Sequence, residues 1–277
     1  MRVFNDTVAR ARAGGYDLAN GTHVDLDLSQ TIGDDTKPYD SEIVFSGPSG
    51  GPDAKAPDLS VVEGDCLETA RKLAEKGEEV CVLNMANNMG PGGSVHKGAG
   101  AQEEHLFRSS DYFRSLYRYS PFGSRYGVPR APESPYPLHE RFGGVFSRGV
   151  TVFRGPEREG YPLLAKPWRC NFVAVPALNR GKGFSSRPLT PAEESIVRDK
   201  IATILRICRE NGQKTLVLSA FGCGAFGNPA GRIAELFREA LASPEFRGAF
   251  GKVVFSILED HNSPLGGNCP PFRAVFA

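Results

Sequence analysis

The sequence predicts a layered α/β domain, with helices packed on both faces of one sheet. Three observations carry this. Short apolar runs alternate with segments of helical period from residue 59 to residue 257. One run, Val80-Cys81-Val82-Leu83, is apolar without interruption, as in a strand buried on both faces. Thr190-Pro191-Ala192-Glu193 spells a helix start: a hydroxyl cap, proline in the first turn and a glutamate three residues after the cap.

The elements follow in order. Val3 to Ala13 reads as a short helix ended by Gly14-Gly15. Val24, Leu26 and Leu28 alternate with Asp25 and Asp27, a half-exposed strand pattern. Ser46 to Pro57 is rich in Gly, Pro and Ser and reads as a loop. Leu59–Val62 is a strand, and Cys66–Lys76 a helix with Leu67, Ala70 and Leu73 on one face. A glycine-rich loop follows Leu83. One helix is then expected from about Gln102 to Arg118, with Leu106, Phe113 and Tyr117 at helical spacing. Residues 119–146 hold many Pro, Gly, Arg and Tyr and read as a long irregular segment, of a length typical of functional lids or of disorder. Val150–Phe153 and Phe172–Val175 are strands. The helix after Thr190 buries Ile196, Val197, Ile201, Ile204, Leu205 and Cys208. Leu216–Leu218 is a strand. Asn228-Pro229 opens a helix with Ile233, Leu236, Phe237 and Leu241 inward, and Val253–Ile257 is the last strand. The reading takes 1–57 as an N-terminal extension packed on a catalytic domain over 58–277, the two forming one structural unit.

Composition narrows the function. The 277 residues are 40% hydrophobic and 23% charged, with 33 basic and 32 acidic side chains and a formal charge of +1. No basic stripe is visible, so direct nucleic-acid binding is not expected. No stretch approaches the ~18 apolar residues that span a bilayer, and the N-terminus lacks an apolar signal core. The expectation is a monomer without membrane contact, inside the cell, cytoplasmic or nuclear. The six cysteines, at 66, 81, 170, 208, 223 and 269, show no CxxC spacing. They read as free buried thiols in a reducing compartment, without structural zinc.

Ligands of such sheets bind beyond the carboxyl ends of the strands, and two strand ends here run into glycine-rich loops. The first spans Leu83 to Val95 and includes Pro91-Gly92-Gly93-Ser94. The second, Ser219 to Asn228, includes Gly222-Cys223-Gly224-Ala225-Phe226-Gly227 and leads into a helix. Glycine lets backbone N–H groups approach an anion, and a helix N-terminus favours phosphate. Neither loop matches GxxxxGKS/T, and two tight turns remain the alternative. Gln102-Glu103-Glu104 then opens a helix. Adjacent helical residues point about 100° apart, so the two carboxylates cannot share one job. One is free to hold a hydroxyl while the other exchanges a proton. The alternative is a pair of acids favoured by the helix dipole.

Taken together, these residues resemble a known family. Pro91-Gly92-Gly93-Ser94, seven further residues and Gln102-Glu103-Glu104 look like the signature of poly(ADP-ribose) glycohydrolases. The run from Asn84 to Glu104, with Gly222 to Pro229, is most similar to the microbial branch. The resemblance implies a macrodomain-like three-layer α/β/α fold with a central mixed β-sheet. It implies ADP-ribose or poly(ADP-ribose) as ligand, ADP-ribosylated proteins as partners, and neither cofactor nor metal. By motif, Glu104 matches the catalytic acid/base, and Glu103 the glutamate that positions ribose hydroxyls. Asn87 matches the asparagine holding the distal ribose. Gly92 and Gly93, with Ser94 and Val95, match the first diphosphate loop, and Gln102 opens the Gln-Glu-Glu motif. Gly222, Gly224, Ala225, Phe226 and Gly227 match the second loop, with Phe226 packing on ribose. Asp65 sits where the fold places an acid against the adenine amino group.

Ser94 departs from the pattern, since a third glycine is usual there. It either keeps the turn and lends a hydroxyl, or crowds the substrate with its Cβ. The implied reaction passes through an oxocarbenium-like state and needs a proton on the leaving oxygen. Glu104 is expected to supply it, with a carboxyl raised by burial and by the diphosphate. Three other readings stay open at this point: a hydrolase of single protein-linked ADP-ribose units, a non-catalytic ADP-ribose reader, and an unrelated nucleotide-binding protein. Arg125, Arg130 and Arg141, in 119–146, suit phosphate contact and plain solvation equally.

Overall fold

Side chains alternate strictly along the central strands, and that alternation builds two cores. Val80 and Val82 face one side and Cys81 and Leu83 the other. Val217 and Val254 join the first core, while Leu216, Leu218, Val253 and Phe255 join the second. A period of two residues puts successive side chains on opposite faces, so both faces must be covered.

The computed structural model describes residues 1–28, 35–47, 49–50, 54–181 and 187–277. Its elements are α1 (Arg2–Ala13), β1 (Gly15–Asp17), β2 (His23–Asp25), β3 (Thr36–Tyr39), β4 (Asp58–Glu63), α2 (Cys66–Ala74), β5 (Val80–Met85), α3 (Gln102–Ser109), α4 (Phe113–Leu116), β6 (Gly144–Arg154), β7 (Leu163–Val175), α5 (Pro191–Glu210), β8 (Thr215–Leu218), α6 (Ala230–Ala242), β9 (Lys252–Ile257) and α7 (Cys269–Phe276). The main sheet has the order β3-β6-β7-β5-β8-β9-β4. The pairs β5/β7, β5/β8, β8/β9 and β4/β9 are parallel. The pairs β3/β6 and β6/β7 are antiparallel, which makes the sheet mixed. The first core takes in residues of α1 to α4, and the second those of α5, α6 and α7. The architecture is therefore three-layered, α/β/α.

Several elements differ from the sequence expectation, each for a physical reason. The helix expected over 102–118 is broken. Ser110 is extended (φ −146°, ψ 173°) and bridges to Val152. Fully buried Asp111 accepts the Thr151 N–H at 2.8 Å. Pairing with β6 thus outcompetes one turn of helix. Residues 119–146 are less irregular than expected: Gly123–Tyr126 forms a 3-10 turn, and β6 begins at Gly144. Tyr119, Tyr126, Val128 and Leu138 are buried there. The strand expected through Leu28 covers only His23–Asp25. β1, β3 and α7 have no counterpart in the sequence expectation. The loop reading of 46–57 falls in part on residues 48 and 51–53, outside the described residues.

The start at Thr190 is as expected. Its side chain accepts from Glu193 N, the Glu193 carboxylate accepts from Thr190 N, and Pro191 is the first helical residue. All six cysteines are free and buried. Among the described residues, no helix is long and apolar enough to cross a membrane.

Candidate active site

Strand β5 lies mid-sheet and delivers the chain into the first glycine loop. Asn87 closes the first turn there, its Oδ1 accepting from Met89 N (2.8 Å) and Gly90 N (3.3 Å). Gly92 (φ +78°) and Gly93 (φ +52°) follow in a conformation that side chains resist. A Cβ on Gly92 would lie 2.8 Å from the Phe107 ring, and one on Gly93 would overlap Glu104 Oε1. Both glycines are thus required by the protein's own packing. Ser94 has φ −108° and ψ 33°, on the negative-φ side, so its backbone does not need glycine. The Val95 side chain is fully buried in the first core and anchors the loop rather than facing a ligand.

Helix α3 starts behind this loop and is laced to it. Glu103 Oε1 accepts from Gly92 N (3.0 Å) and Asn84 Nδ2 (3.3 Å), and Oε2 from Asn87 N (2.9 Å). Glu104 Oε1 accepts from Ser94 N (2.9 Å) and Oε2 from Ala101 N (3.0 Å). Both carboxyls are buried, 3% and 6% exposed. Burial pushes Glu103 up to about 8; the Asn87 and Gly92 N–H groups oppose this, and neighbouring Glu104 adds to it. Gln102 latches α3 to β5: its Oε1 accepts from Met85 N (2.9 Å) and its Nε2 donates to Leu83 O (2.6 Å).

The second loop joins β8 to α6 and is built differently. Gly222 (φ +73°) is held tightly, for a Cβ there would overlap Asn228 Nδ2. Gly227 donates to Gly224 O (3.0 Å), and its own carbonyl accepts from Arg180 Nη1 (3.0 Å), so it serves the turn. Gly224 lacks a positive φ, and the nearest atom to a Cβ there is Asn262 Cβ at 3.4 Å, an ordinary contact. Among the described residues, the N–H groups of Gly222, Gly224, Ala225 and Phe226 have no acceptor. They lie just ahead of α6, where the helix dipole adds to their pull on an anion.

A cavity of about 410 Å³ opens beside this loop. Of the residues picked from sequence, Asp65, Gln102, Gly222, Gly224, Ala225 and Phe226 line it. Asn87, Gly92, Gly93, Ser94, Val95, Glu103, Glu104 and Gly227 do not. Asn87, Gly92, Ser94, Val95, Glu103 and Glu104 form a hydrogen-bonded knot behind Gln102 that also holds Gly93, and Gly227 backs the second loop. Asp65 caps α2, with Oδ1 accepting from Leu67 N (2.8 Å) and Glu68 N (3.1 Å). His105 Nε2 lies 2.9 Å from its other oxygen. Burial alone would raise Asp65, but His105 and the two N–H groups outweigh it and hold the carboxyl below its usual value.

Sequence reasoning missed His105, the Pro156–Arg158 tip of the β6–β7 hairpin, and the segment after β9 with Asp260, His261 and Asn262, all of which line the cavity. The last had a usable signal: a polar run directly beyond the end of a strand. Arg141 pairs with Asp199 and Ser195 instead of reaching the cavity.

The geometry has relatives. The family model for the microbial-type PARG catalytic domain matches residues 5–155. The poly(ADP-ribose) glycohydrolase of Thermomonospora curvata, solved with the inhibitor ADP-HPD, is 29% identical; the match covers 99% of this chain and 98% of that chain, with a TM-score of 0.77. The poly(ADP-ribose) glycohydrolase of Deinococcus radiodurans, solved with ADP-ribose, is 31% identical over 80% of this chain and 85% of that chain, with a TM-score of 0.62. No curated relative matches. The family match spans more than half of the chain and contains both the first glycine loop and the Gln102-Glu103-Glu104 motif, and on that ground the chain belongs to the microbial-type poly(ADP-ribose) glycohydrolase catalytic-domain family.

Proposed function

We propose that this protein hydrolyses the ribose–ribose O-glycosidic bonds of poly(ADP-ribose) and releases ADP-ribose, with Glu104 as acid/base. One observation carries the reading: two buried carboxyls are tied by backbone N–H groups to a glycine loop, next to a cavity walled by four open N–H groups. The open N–H groups of the second loop suit the diphosphate. Asp65 suits the adenine amino group, because an ionised carboxylate is an acceptor only. Phe226, half-buried at the cavity wall, suits ribose packing.

In this mechanism Glu104 protonates the leaving oxygen and then takes a proton from the attacking water. The diphosphate stabilises the cationic sugar. Glu103, raised to about 8, is mostly protonated at neutral pH and can give its O–H to a ribose hydroxyl while its lone pairs keep their N–H donors. It therefore binds rather than attacks. The proposal takes the chain as one unit, with 1–57 packed on the catalytic domain of 58–277. Phe4 in the first core and β3 at the edge of the main sheet support this. It also takes the protein as a monomer inside the cell, cytoplasmic or nuclear, without direct nucleic-acid binding; the near-balanced charge supports the last point.

The test compares protein carrying poly(ADP-ribose) with protein carrying single ADP-ribose units, and reads released ADP-ribose. Loss of polymer that stops at the last protein-linked unit is expected. Release from single units alone moves the function to a mono-ADP-ribosyl hydrolase. Silence on both, with ADP-ribose still bound, leaves a reader and removes the role given to Glu104.

A further inference from the structure

The carboxyl of Glu104 joins two surfaces. Its Oε2 is held by Ala101, which lines the cavity, and its Oε1 by Ser94, which leads into the 3-10 turn Val95–Lys97. On that turn the His96 ring lies against Phe122, with centroids 5.2 Å apart and planes at 40°. Phe122 is 44% exposed and is the only exposed phenylalanine among the described residues. Exposed cations lie on the same and adjoining segments. Lys97 follows His96, Arg125 lies in the 3-10 turn Gly123–Tyr126 that follows Phe122, Arg130 is four residues past that turn, and Arg12 of α1 lies against Gly127 at its end. None of these four makes an ion pair among the described residues.

Acids are missing from the same stretch. Between Glu79 and Glu133 the only carboxylates are Glu103, Glu104 and Asp111, and all three are buried. Elsewhere the surface arginines are densely paired with acids, as in the network of Arg198 and Arg232 with Glu194 and Glu239. The chain as a whole is near neutral, so this stretch is a local asymmetry of charge.

We propose that this face binds the ADP-ribose unit on the leaving side of the scissile bond, its adenine on the His96–Phe122 platform and its diphosphate among Lys97, Arg125, Arg130 and Arg12. The inference rests on the glycohydrolase reading and names where the rest of the polymer lies. A bond cleaved at Glu104 has one unit in the cavity and the next beyond it. Exposed rings take bases by stacking, and unpaired cations take their phosphates.

The experiment uses the full chain as Phe122→Ala and as the double variant Lys97→Glu with Arg125→Glu. It measures kcat and KM on size-fractionated poly(ADP-ribose) at two salt concentrations, and ADP-ribose affinity by calorimetry. Expected is a rise in polymer KM of about tenfold in each variant, with kcat and ADP-ribose Kd within twofold. The effect of the double variant should shrink as salt rises. Unchanged polymer KM in both variants overturns the inference while leaving the glycohydrolase reading intact. So does an equal loss of ADP-ribose affinity, which would place these residues in the cavity's own support. Competition by single-stranded RNA of equal phosphate content, as strong as that of the polymer, also overturns it, in favour of a general polyanion surface. A wild-type protein that binds ADP-ribose but leaves polymer uncut overturns the reading and the inference together.

Discussion

The two glycine loops look alike in sequence and differ in what their N–H groups do. In the first, the N–H groups of Gly92 and Ser94 go to Glu103 and Glu104, and that of Val95 goes to Gly92 O. In the second, those of Gly222, Gly224, Ala225 and Phe226 have no acceptor among the described residues. One loop is a clamp on two buried acids, and the other is a prepared anion site. Glycine content alone does not tell these apart; what decides is whether the protein fills its own donors. The comparison predicts that changes on the clamp side damage turnover and stability, while changes on the open side damage binding.

The largest effect belongs to the clamp. Glu104→Gln keeps the shape but removes the exchangeable proton, so kcat should fall ~100-fold or more with ADP-ribose Kd within a few-fold by calorimetry. Near-normal turnover would remove Glu104 from the mechanism. Glu103 gives the next effect, on stability. Its carboxyl titrates near 4.5 in the unfolded chain and at about 8 in the fold. Between those values the folded state keeps a proton that the unfolded state has released, so stability falls as pH rises. From about pH 5 to about pH 8, wild type should lose on the order of a few kcal/mol relative to Glu103→Gln, read by urea unfolding. Asp111, pushed by burial up to about 6 despite Arg114, contributes equally in both proteins and cancels. Parallel pH curves for the two proteins would contradict the raised carboxyl.

Gly93→Ala tests the packing of the clamp itself. The new methyl meets a left-handed backbone and overlaps Glu104 Oε1. The conformation alone should cost about 1–2 kcal/mol in urea unfolding, and turnover should fall as Glu104 is displaced. A variant with wild-type stability would show that the loop can relax, and the clamp would then be looser than its hydrogen bonds indicate.

Much of this was legible in sequence because the cues are local. The Thr190 cap, the apolar run at Val80 and the helix start at Gln102 each depend on neighbours within a few residues, and each forms as expected. What was not legible depends on distant partners. Ser110 leaves the helix because Val152 is available to it, 42 positions away in the chain. β3 joins the sheet through β6 although it contains Pro38, which an edge strand tolerates. His105 gains meaning only beside Asp65, on a different helix. Within the site, the sequence suggests a diphosphate loop at Gly92–Gly93, but the Gly92 N–H goes to the protein's own Glu103 and only that of Gly93 has no acceptor among the described residues. The sequence carries the glycines; the direction of their N–H groups is a tertiary fact.

The smallest effect is also the sharpest discriminator, because it separates two glycines of one loop. Gly224→Val places its Cβ in ordinary contact, 3.4 Å from Asn262 Cβ, at a φ that is not positive. Its melting temperature should therefore stay near that of wild type, while the branched side chain stands over the open N–H groups and weakens ADP-ribose binding by at least about tenfold, ~1.4 kcal/mol. Gly222→Ala should do the reverse in kind. Its methyl overlaps Asn228 Nδ2 in a left-handed turn, so it should cost ~1–2 kcal/mol of stability first and affinity only as the turn shifts. Calorimetry and thermal melts on the pair read both quantities. If Gly224→Val binds ADP-ribose as wild type does, the open N–H groups are not the phosphate site, and the contrast between the loops loses its functional meaning. If it binds weakly and melts normally, the second loop is a binding surface whose shape is independent of its ligand.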